Sequence, residues 1–258
     1  MSEDKITQLL NGKSALVTGS SRGIGRAIAE GLLREGCRVV LNGRNARELD
    51  DTARALGGKN LACIVGDVTR PEEARRIVAD VLAALGKLDV LVCNVGSGSS
   101  VRPGEESFDE WQRVFALNLW STTNMVEAAC DALAASRGAI VCVSSICGME
   151  VVPGAPVTYS AAKAALNAYV RGIARPLGKL GVRINAVAPG NILFDGSVWS
   201  RKLAEDADAV QAMLEKEVSL GCLGSPIDVA NLVAYLASSR SGFATGGVWT
   251  LDGGQIHS

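Results

Sequence analysis

The sequence predicts an α/β fold, a Rossmann-type doubly wound parallel sheet of about seven strands with helices on both faces. Short runs rich in Val, Ile and Leu alternate with longer segments of helical periodicity along the chain, as expected for successive β-α-β units. The apolar runs are nearly uninterrupted, which is typical of parallel strands covered on both faces. No linker or low-complexity tract breaks the alternation, so we expect residues 1–258 to form a single domain.

Each predicted element follows from one segment of this alternation. Strands are expected over 14–19, 38–43, 60–68, 88–95, 138–145, 182–190 and 247–254. Helices are expected over 23–35, 45–56, 71–85, 108–135 and 158–179. Residues 191–217 depart from the rhythm, because they combine Gly196 and Trp199 with a charged amphipathic stretch. We interpret this segment as a lid over a site.

Composition excludes several classes of function. The formal net charge of -1 gives no reason to expect a nucleic-acid partner. The single histidine, His257, is next to the last residue, so neither a Ser-His-Asp triad nor a multi-histidine metal site is expected. The seven cysteines form no CxxC pair and are read as buried thiols in a reducing compartment. With no signal-peptide pattern and no long apolar run, we expect a cytoplasmic protein without bound metal or membrane span.

A glycine-rich turn joins the first predicted strand to the first helix. Residues 18–25 read TGSSRGIG, and glycines there allow a tight turn and a close approach of the backbone to a pyrophosphate. The helix that follows directs its free N–H groups and the positive end of its dipole at such an anion. The expected cofactor-binding residues of the turn are Gly19, Ser21, Arg22, Gly23, Ile24 and Gly25.

The end of the second strand indicates which dinucleotide binds. An NAD-preferring site carries an acidic residue there for the ribose hydroxyls, but residues 41–45 read LNGRN and contain no carboxylate. Arg44 can instead form paired hydrogen bonds with a 2′-phosphate, and Arg22 can approach the same group. The sequence therefore predicts NADP(H) in preference to NAD(H).

Tyr159 and Lys163 lie four residues apart and fall on one face of a predicted helix. An adjacent ammonium favours the phenolate, so we expect Lys163 to lower the pKa of Tyr159 toward neutrality. Such a tyrosine can exchange a proton with an alcohol or ketone oxygen. Ser144 and Ser145 end a predicted strand at the edge where open α/β sheets bind ligands, and a hydroxyl there can stabilise a substrate oxygen.

Taken together, these motifs resemble the short-chain dehydrogenase/reductase family over essentially the whole chain. The matching residues are TGSSRGIG at 18–25, Asp67-Val68, Asn94-Val95-Gly96, Asn118, Ser145, Tyr159 with Lys163, and Pro189-Gly190. Each motif alone is weak, but all of them in this order and at this spacing are specific. Overall the chain is most similar to the 3-oxoacyl-[acyl-carrier-protein] reductase branch.

The resemblance implies a role for each catalytic residue. Tyr159 would be the general acid in reduction and the base in oxidation, and Ser145 would orient the substrate oxygen. Ser145 is preferred over Ser144 because Ser145 to Gly148 match the family's SxxG. Asn118 would hold a water that relays protons to Lys163, which would also bind the nicotinamide ribose.

The resemblance also implies further cofactor contacts. Asp67 would bind the adenine amino group with Val68 beside the ring, and Asn94 and Gly96 would line the groove. After the sixth strand, Pro189, Gly190 and Ile192 would contact the nicotinamide end. The family's PGxIxT has Phe194 in place of its threonine here, so the side-chain bond to the carboxamide is in doubt and the Ile192 backbone would replace it.

The substrate and the assembly follow less directly. The family branch implies a 3-oxoacyl thioester. Carrier proteins are acidic, so a docking patch should be basic; Arg171, Arg175, Lys179 and Arg183 are candidates for it, and a solvated face is the favoured alternative for these four residues. A sugar or other secondary alcohol is the alternative substrate. Phe194, Trp199 and Met213 in the segment 191–217 either set the choice of substrate or serve as packing within the lid. A catalytically idle NADP(H)-binding sensor or scaffold is the non-enzymatic alternative. The resemblance implies a homotetramer built on helices 108–135 and 158–179 and on residues 248–258.

Overall fold

The computed structural model describes residues 8–58 and 60–256, and its centre is one parallel sheet. The seven strands found in those residues are ordered β3-β2-β1-β4-β5-β6-β7. Their bounds are β1 Ser14–Val17, β2 Arg38–Gly43, β3 Leu61–Val65, β4 Val90–Cys93, β5 Ala139–Val143, β6 Arg183–Pro189 and β7 Val248–Leu251. The predicted fold class is confirmed. The strand order reverses between β1 and β4, so a ligand crevice is expected at the carboxyl ends of those strands.

The helices connect successive strands and cover both faces. They are α1 Gly23–Arg34, α2 Ala46–Leu56, α3 Pro71–Leu85, α4 Phe108–Phe115, α5 Ser121–Ser136, α6 Val157–Lys179, α7 Val198–Glu205, α8 Ala207–Glu217 and α9 Pro226–Ala237. A π-helical turn, Ala116–Trp120, joins α4 to α5, and a short 3₁₀ helix, Ile146–Gly148, follows β5.

Successive residues of each central strand point to opposite faces of the sheet and pack into two separate apolar clusters. Leu16, Leu91 and Ile140 point to one face, where α3, α5 and α6 pack, and belong to one apolar cluster. Val17 and Val92 point to the other face and join a second cluster beneath α1 and α9. This period of two, with both faces covered, explains why the central strands have continuous apolar sequences.

Most of the predicted strands are too long, chiefly at their carboxyl ends. β1 ends at Val17 where the apolar run extends to Gly19, and β3 ends at Val65 where it extends to Val68. Similarly, β4 ends at Cys93 and β5 at Val143. The chain leaves the sheet at these points and places the next residues, including most of those singled out by motif, along one edge.

Residues 191–217, the segment interpreted as a lid, contain the two helices α7 and α8. Their apolar side chains, together with Val218 just after α8, form a small separate cluster around Val210 and Leu214, joined by Trp199 and Met213. None of the helices in the described ranges is both long and apolar enough to cross a membrane. Nor do residues 8–58 and 60–256 bring together three or more side chains that could hold a metal ion; His257 lies outside those ranges.

Candidate active site

The glycine turn is built so that α1 packs directly against it. Gly19 and Gly23 have positive φ values of 62° and 55°, which L-residues with a Cβ rarely adopt. A Cβ on Gly25 would stand 2.3 Å from the Gly19 carbonyl oxygen and 2.5 Å from Nδ2 of Asn94. Asn94 donates from Nδ2 to the carbonyls of Thr18 and Gly19, each at 3.0 Å. The side chain of Asn94 therefore holds the turn, while Gly25 lets the helix approach it.

The turn fits a pyrophosphate. Arg22, the N-cap of α1, makes no capping bond with its side chain, and the first turn of α1 contains no acidic residue. Within the described residues, the backbone N–H groups of Gly23, Ile24 and Gly25 have no hydrogen-bond partner. These donors, together with the dipole of α1, form a cradle for an anionic group.

Charged groups gather beyond the turn, at the carboxyl ends of β2 and β3. Arg44 is 71% exposed at its side chain and lies 3.9 Å from the Asp67 carboxylate. Arg22 is also exposed, while Ser21 donates its hydroxyl to Glu48 at 3.1 Å. The other Asp67 oxygen accepts from the backbone and side chain of Thr69. The edge thus offers an exposed cation beside a fixed carboxylate.

A buried amide at the end of β2 lacks one of its partners. Asn42 is 1% exposed, and its Nδ2 donates to the carbonyls of Ile64 and Gly66. Its Oδ1 accepts no hydrogen bond from any described residue. An unsatisfied buried acceptor is unfavourable, and this one lies beside Gly66 and Asp67, where the adenosine half of a dinucleotide would lie.

The two serines after β5 have different environments. Ser144 is buried and donates its hydroxyl to Oδ1 of Asn167 at 2.6 Å. The Ser145 hydroxyl accepts from the Cys147 backbone N–H at 3.2 Å and also hydrogen-bonds Tyr159. Ser144 is therefore committed to α6, and Ser145 is the serine that faces the tyrosine.

Tyr159 and Lys163 lie at the start of α6 behind the loop that follows β4. The Lys163 ammonium is 5.8 Å from the centre of the Tyr159 ring and donates to the Val143 carbonyl at 2.8 Å. Gly98 lies against the ring, since a Cβ there would be 3.9 Å from Cζ of Tyr159. Tyr159 is thus partly buried, with Gly98 of the loop on one side of its ring and Ser145 as the hydrogen-bond partner of the phenol.

The sequence led us to expect that Lys163 lowers the pKa of Tyr159, and this direction is wrong for the protein without bound cofactor. Burial raises the pKa of Tyr159 to about 12, although its hydrogen bond with Ser145 acts in the opposite direction. Burial also lowers the pKa of Lys163 to about 8. Desolvation disfavours the charged form of each group, and it outweighs the effect of their proximity because the ammonium points to a carbonyl.

Asn118 lies in the π-helical turn and faces Lys163 across Gly96. Its Oδ1 accepts from the Ser97 backbone at 3.0 Å, and its Nδ2 donates to the carbonyls of Ser97 and Val114. A Cβ on Gly96 would stand 2.8 Å from Oδ1 of Asn118 and 3.1 Å from Nζ of Lys163. Gly96 thus leaves room between the two groups, and π-helical turns are frequent at functional sites.

After β6 the chain returns to the glycine turn. Pro189 ends the strand and Gly190 pairs with Leu251. The backbone N–H and C=O of Ile192 have no hydrogen-bond partner within the described residues, so both are available to a ligand amide. The Phe194 ring packs on Gly23, where an added Cβ would meet it at 2.6 Å. An aromatic ring therefore covers the start of α1, where a threonine hydroxyl was the family expectation.

Comparison with known proteins assigns the family. A family model described as enoyl-(acyl carrier protein) reductase matches residues 19–255. The chain belongs to the short-chain dehydrogenase/reductase family. The expectation of an enzyme acting on alcohol or carbonyl groups is thereby confirmed, and the family's nicotinamide chemistry accounts for the cradle at the start of α1.

Several relatives in the short-chain family resemble this chain over nearly its whole length. L-rhamnose 1-dehydrogenase (NAD(P)(+)) of Sphingomonas sp. is 35% identical over 96% of this chain and 97% of its own length. The 3-oxoacyl-[acyl-carrier-protein] reductase FabG of Salmonella typhimurium is 33% identical over 94% of this chain and 97% of its own. The structure of L-sorbose reductase from Gluconobacter frateurii, complexed with NADPH and L-sorbose, superimposes with a TM-score of 0.91 at 30% identity, covering 98% and 100% of the two chains.

The structure also adds residues to this short-chain dehydrogenase site that the motifs did not indicate. Asn167, four residues after Lys163 on the same helix, accepts from Ser144 and donates to the Gly148 carbonyl at 3.0 Å. An asparagine within the apolar face of α6 was the available signal. Thr158 is within 2.6 Å of the Ser100 hydroxyl, which in turn donates to Glu110. No sequence pattern could have joined these two segments.

Proposed function

We propose that this enzyme catalyses reversible, NADP(H)-dependent hydride transfer between the nicotinamide and a carbonyl or secondary alcohol. One observation supports the proposal most strongly: Ser145, Tyr159 and Lys163 lie together with Asn118 at the carboxyl edge of the sheet, beside a turn that fits a pyrophosphate. The nicotinamide, when bound, supplies the hydride. The residues of this chain supply position and the proton.

The proposed roles follow from the contacts. Ser145 and Tyr159 both hydrogen-bond the carbonyl oxygen of the substrate, and the Tyr159 hydroxyl gives its proton to that oxygen in reduction. Lys163 stabilises the phenolate that forms and binds the nicotinamide ribose. Asn118 holds a water that returns a proton by way of Lys163. Gly19, Ser21 to Gly25, Asp67, Val68, Asn94, Gly96, Pro189, Gly190 and Ile192 form the proposed cofactor groove.

The pH dependence of reduction should report Lys163. With a pKa of about 12, Tyr159 keeps its proton through the neutral range, as a general acid must. Lys163, with a pKa of about 8, loses its charge as the pH rises through that value. We expect kcat/KM for reduction to be level below pH 8 and to fall above it, because an uncharged amine no longer stabilises the phenolate. A kcat/KM profile measures this; a level profile through about pH 10 would contradict it.

The preference for NADP(H) rests on Arg44. An exposed guanidinium that binds a 2′-phosphate contributes about 1.5–3 kcal/mol, so Arg44→Leu should raise the KM for NADPH by roughly 10- to 150-fold. The KM for NADH should change little, and steady-state kinetics with both cofactors measure the difference. Arg54→Leu, at the far end of α2, is the control and should leave both values unchanged. Wild-type protein with the lower KM for NADH would overturn the preference.

The proposed substrate is a 3-oxoacyl thioester, as for the reductase relative, and a sugar or other secondary alcohol is the second candidate. Two relatives named for sugars, L-rhamnose and L-sorbose, support the second candidate. The lid does not decide between them, because Trp199 and Met213 pack within the lid's own cluster. A panel containing a 3-oxoacyl thioester, ketoses and aldoses, assayed with NADPH and NADP, tests both. Absence of turnover across a broad carbonyl panel would refute the proposed function.

One part of the proposed carrier-protein face is wrong. Arg171, Arg175 and Lys179 are exposed on α6. Arg183 instead points inward, and both terminal nitrogens of its guanidinium donate to the carbonyls at the end of α9, including those of Leu236 and Ser238. A cation favourably caps a helix C-terminus. Arg183 therefore stabilises the fold, and the proposed face is limited to the other three residues.

We further propose a homotetramer in a reducing compartment such as the cytoplasm. Phe108, Trp120 and Val157 expose apolar surface on the helices expected to form one interface, and Phe243 and Trp249 do so near β7. These side chains would be covered at such interfaces, which supports the proposed association. All seven cysteines are free thiols, which supports the compartment. Light scattering of the purified protein measures the number of subunits.

A further inference from the structure

A cavity of about 480 Å³ opens at the amino edge of the sheet, opposite the candidate active site. The first residues of β4, β5 and β6 line it, with the ends of α6 and α9 at its sides. Tyr159 and the glycine turn lie at the carboxyl edge, so a ligand in this cavity cannot reach the reacting atoms. The proposed function assigns no role to this part of the molecule.

The cavity has an excess of positive charge. Lys13, Arg137 and Arg183 line it, with Asp89 as the one acidic residue in its wall. Asp89 is already satisfied, because its carboxylate accepts from Lys13 at 3.0 Å, from Lys87 at 2.9 Å and from the Ser14 backbone. Three cations and one carboxylate thus line the cavity, and low-dielectric walls strengthen the resulting field.

Arg183 provides a fixed cation in the wall. Its terminal nitrogens donate to the carbonyls of Leu236, Ala237, Ser238 and Ala244 and to the Ser241 hydroxyl. These bonds hold the guanidinium in one place. The α9 C-terminus offsets only part of its charge, because a helix end carries about half an elementary charge.

Arg137 provides a cation that remains available. Within the described residues it is the one non-glycine residue with positive φ, at 50°, and its side chain has no hydrogen-bond or ion-pair partner there. The left-handed conformation at a helix end usually belongs to glycine or asparagine and is unfavourable for arginine by about 1 kcal/mol. Gly181 makes room for its stem, since a Cβ there would lie 3.2 Å from Cγ of Arg137. Strained residues cluster at ligand sites.

We propose that this cavity binds a compact multivalent oxyanion, a phosphate or a polycarboxylate, between the guanidinium of Arg137 and the ammonium of Lys13. Both chemistries offer several oxygens to a guanidinium and a neighbouring ammonium. The volume exceeds that of inorganic phosphate and accommodates a small phosphate ester or a tricarboxylate. Arg137 is the residue on which binding depends most, because its donors are free and its backbone conformation is otherwise unfavourable.

Thermal unfolding at constant ionic strength tests this site, with inorganic phosphate and citrate as separate probes against chloride. For a dissociation constant of about 1 mM, about 10 mM ligand should raise the unfolding midpoint by roughly 3–5 °C. Arg137→Gln and Arg137→Gly should each lose most of that rise. Arg137→Gly should also unfold at a higher temperature than wild type without ligand, because glycine adopts a positive φ without strain. A misfolded variant would lose stability together with binding, whereas Arg137→Gly should lose binding and gain stability.

Two control variants show whether the rise depends on this cavity or on positive charge elsewhere on the surface. Arg171→Gln removes one exposed positive charge from α6, and Arg54→Gln removes one from α2. Both variants should keep the full rise with either probe. An undiminished rise in both Arg137 variants, or a rise lost equally in Arg171→Gln or Arg54→Gln, would overturn the proposal. So would the absence of any rise in wild-type protein with either probe. The proposed redox function is assayed separately and does not depend on the outcome.

Discussion

Replacing Tyr159 with Phe is expected to lower kcat for reduction by a factor of about 10²–10⁴, the range contributed by a positioned general acid. The substitution removes one hydroxyl from a ring that packs against Gly98 of the loop after β4, so the shape of the site is retained. Ser145 loses its phenolic partner but keeps its bond from the Cys147 backbone. The loss should therefore appear in kcat, with the NADPH dissociation constant nearly unchanged. Stopped-flow fluorescence of bound NADPH and steady-state kinetics measure the two quantities.

Tyr169→Phe is the matched control for this substitution. Tyr169 lies on the same helix, ten residues later, and packs against the core beneath the sheet. Removing its hydroxyl makes the same chemical change away from the site, so turnover should remain close to that of wild type. A Tyr159→Phe variant that retains wild-type turnover on an identified substrate would refute the catalytic role of the phenol.

The sequence could predict the fold because a sheet buried on both sides requires nearly continuous apolar strands. The central strands β1, β2, β4 and β5 are buried throughout most of their lengths, and their apolar runs located them to within a few residues. Strand ends were less predictable. The third strand was predicted to extend to Val68, yet the chain leaves the sheet after Val65, where Gly66 and the charged Asp67 interrupt the apolar run.

The residues of the site could be predicted from the sequence, whereas the pKa values of those residues could not. Motif spacing alone placed Tyr159 beside Lys163, and the structure brings Ser145 and Asn118 to them. The pKa of Tyr159 was misjudged because spacing along a helix says nothing about burial, which raises that pKa, or about Val143, whose carbonyl receives the ammonium. The inward direction of Arg183 depends on contacts with α9 over fifty residues away, which local pattern cannot show.

Replacing Gly148 with Ala is expected to disable the site without touching any reacting group. A Cβ on Gly148 would stand 2.5 Å from the carbonyl carbon of Lys163, 2.7 Å from its oxygen and 2.8 Å from the Ala164 nitrogen. These are backbone atoms of α6, so no flexible side chain can move aside. The 3₁₀ helix that begins after Ser145 must therefore shift away from α6, which separates the Ser145 hydroxyl from Tyr159. A shift of about 1 Å should lower kcat roughly 100-fold, and overpacking should destabilise the fold by about 1–3 kcal/mol.

Gly172→Ala distinguishes this effect from a general response to alanine. Gly172 lies on the same helix, and a Cβ there would meet nothing within 4 Å. Alanine in an exposed helix interior is favoured over glycine by about 0.5–1 kcal/mol, so Gly172→Ala should raise the unfolding midpoint by roughly 1–4 °C with unchanged kcat. In Gly148→Ala, by contrast, the shift of the 3₁₀ helix should also weaken the hydrogen bond that Asn167 donates to the Gly148 carbonyl. Wild-type kcat in Gly148→Ala would contradict this prediction. It would show that the distance between Ser145 and Tyr159 does not depend on close contact between the 3₁₀ helix and α6.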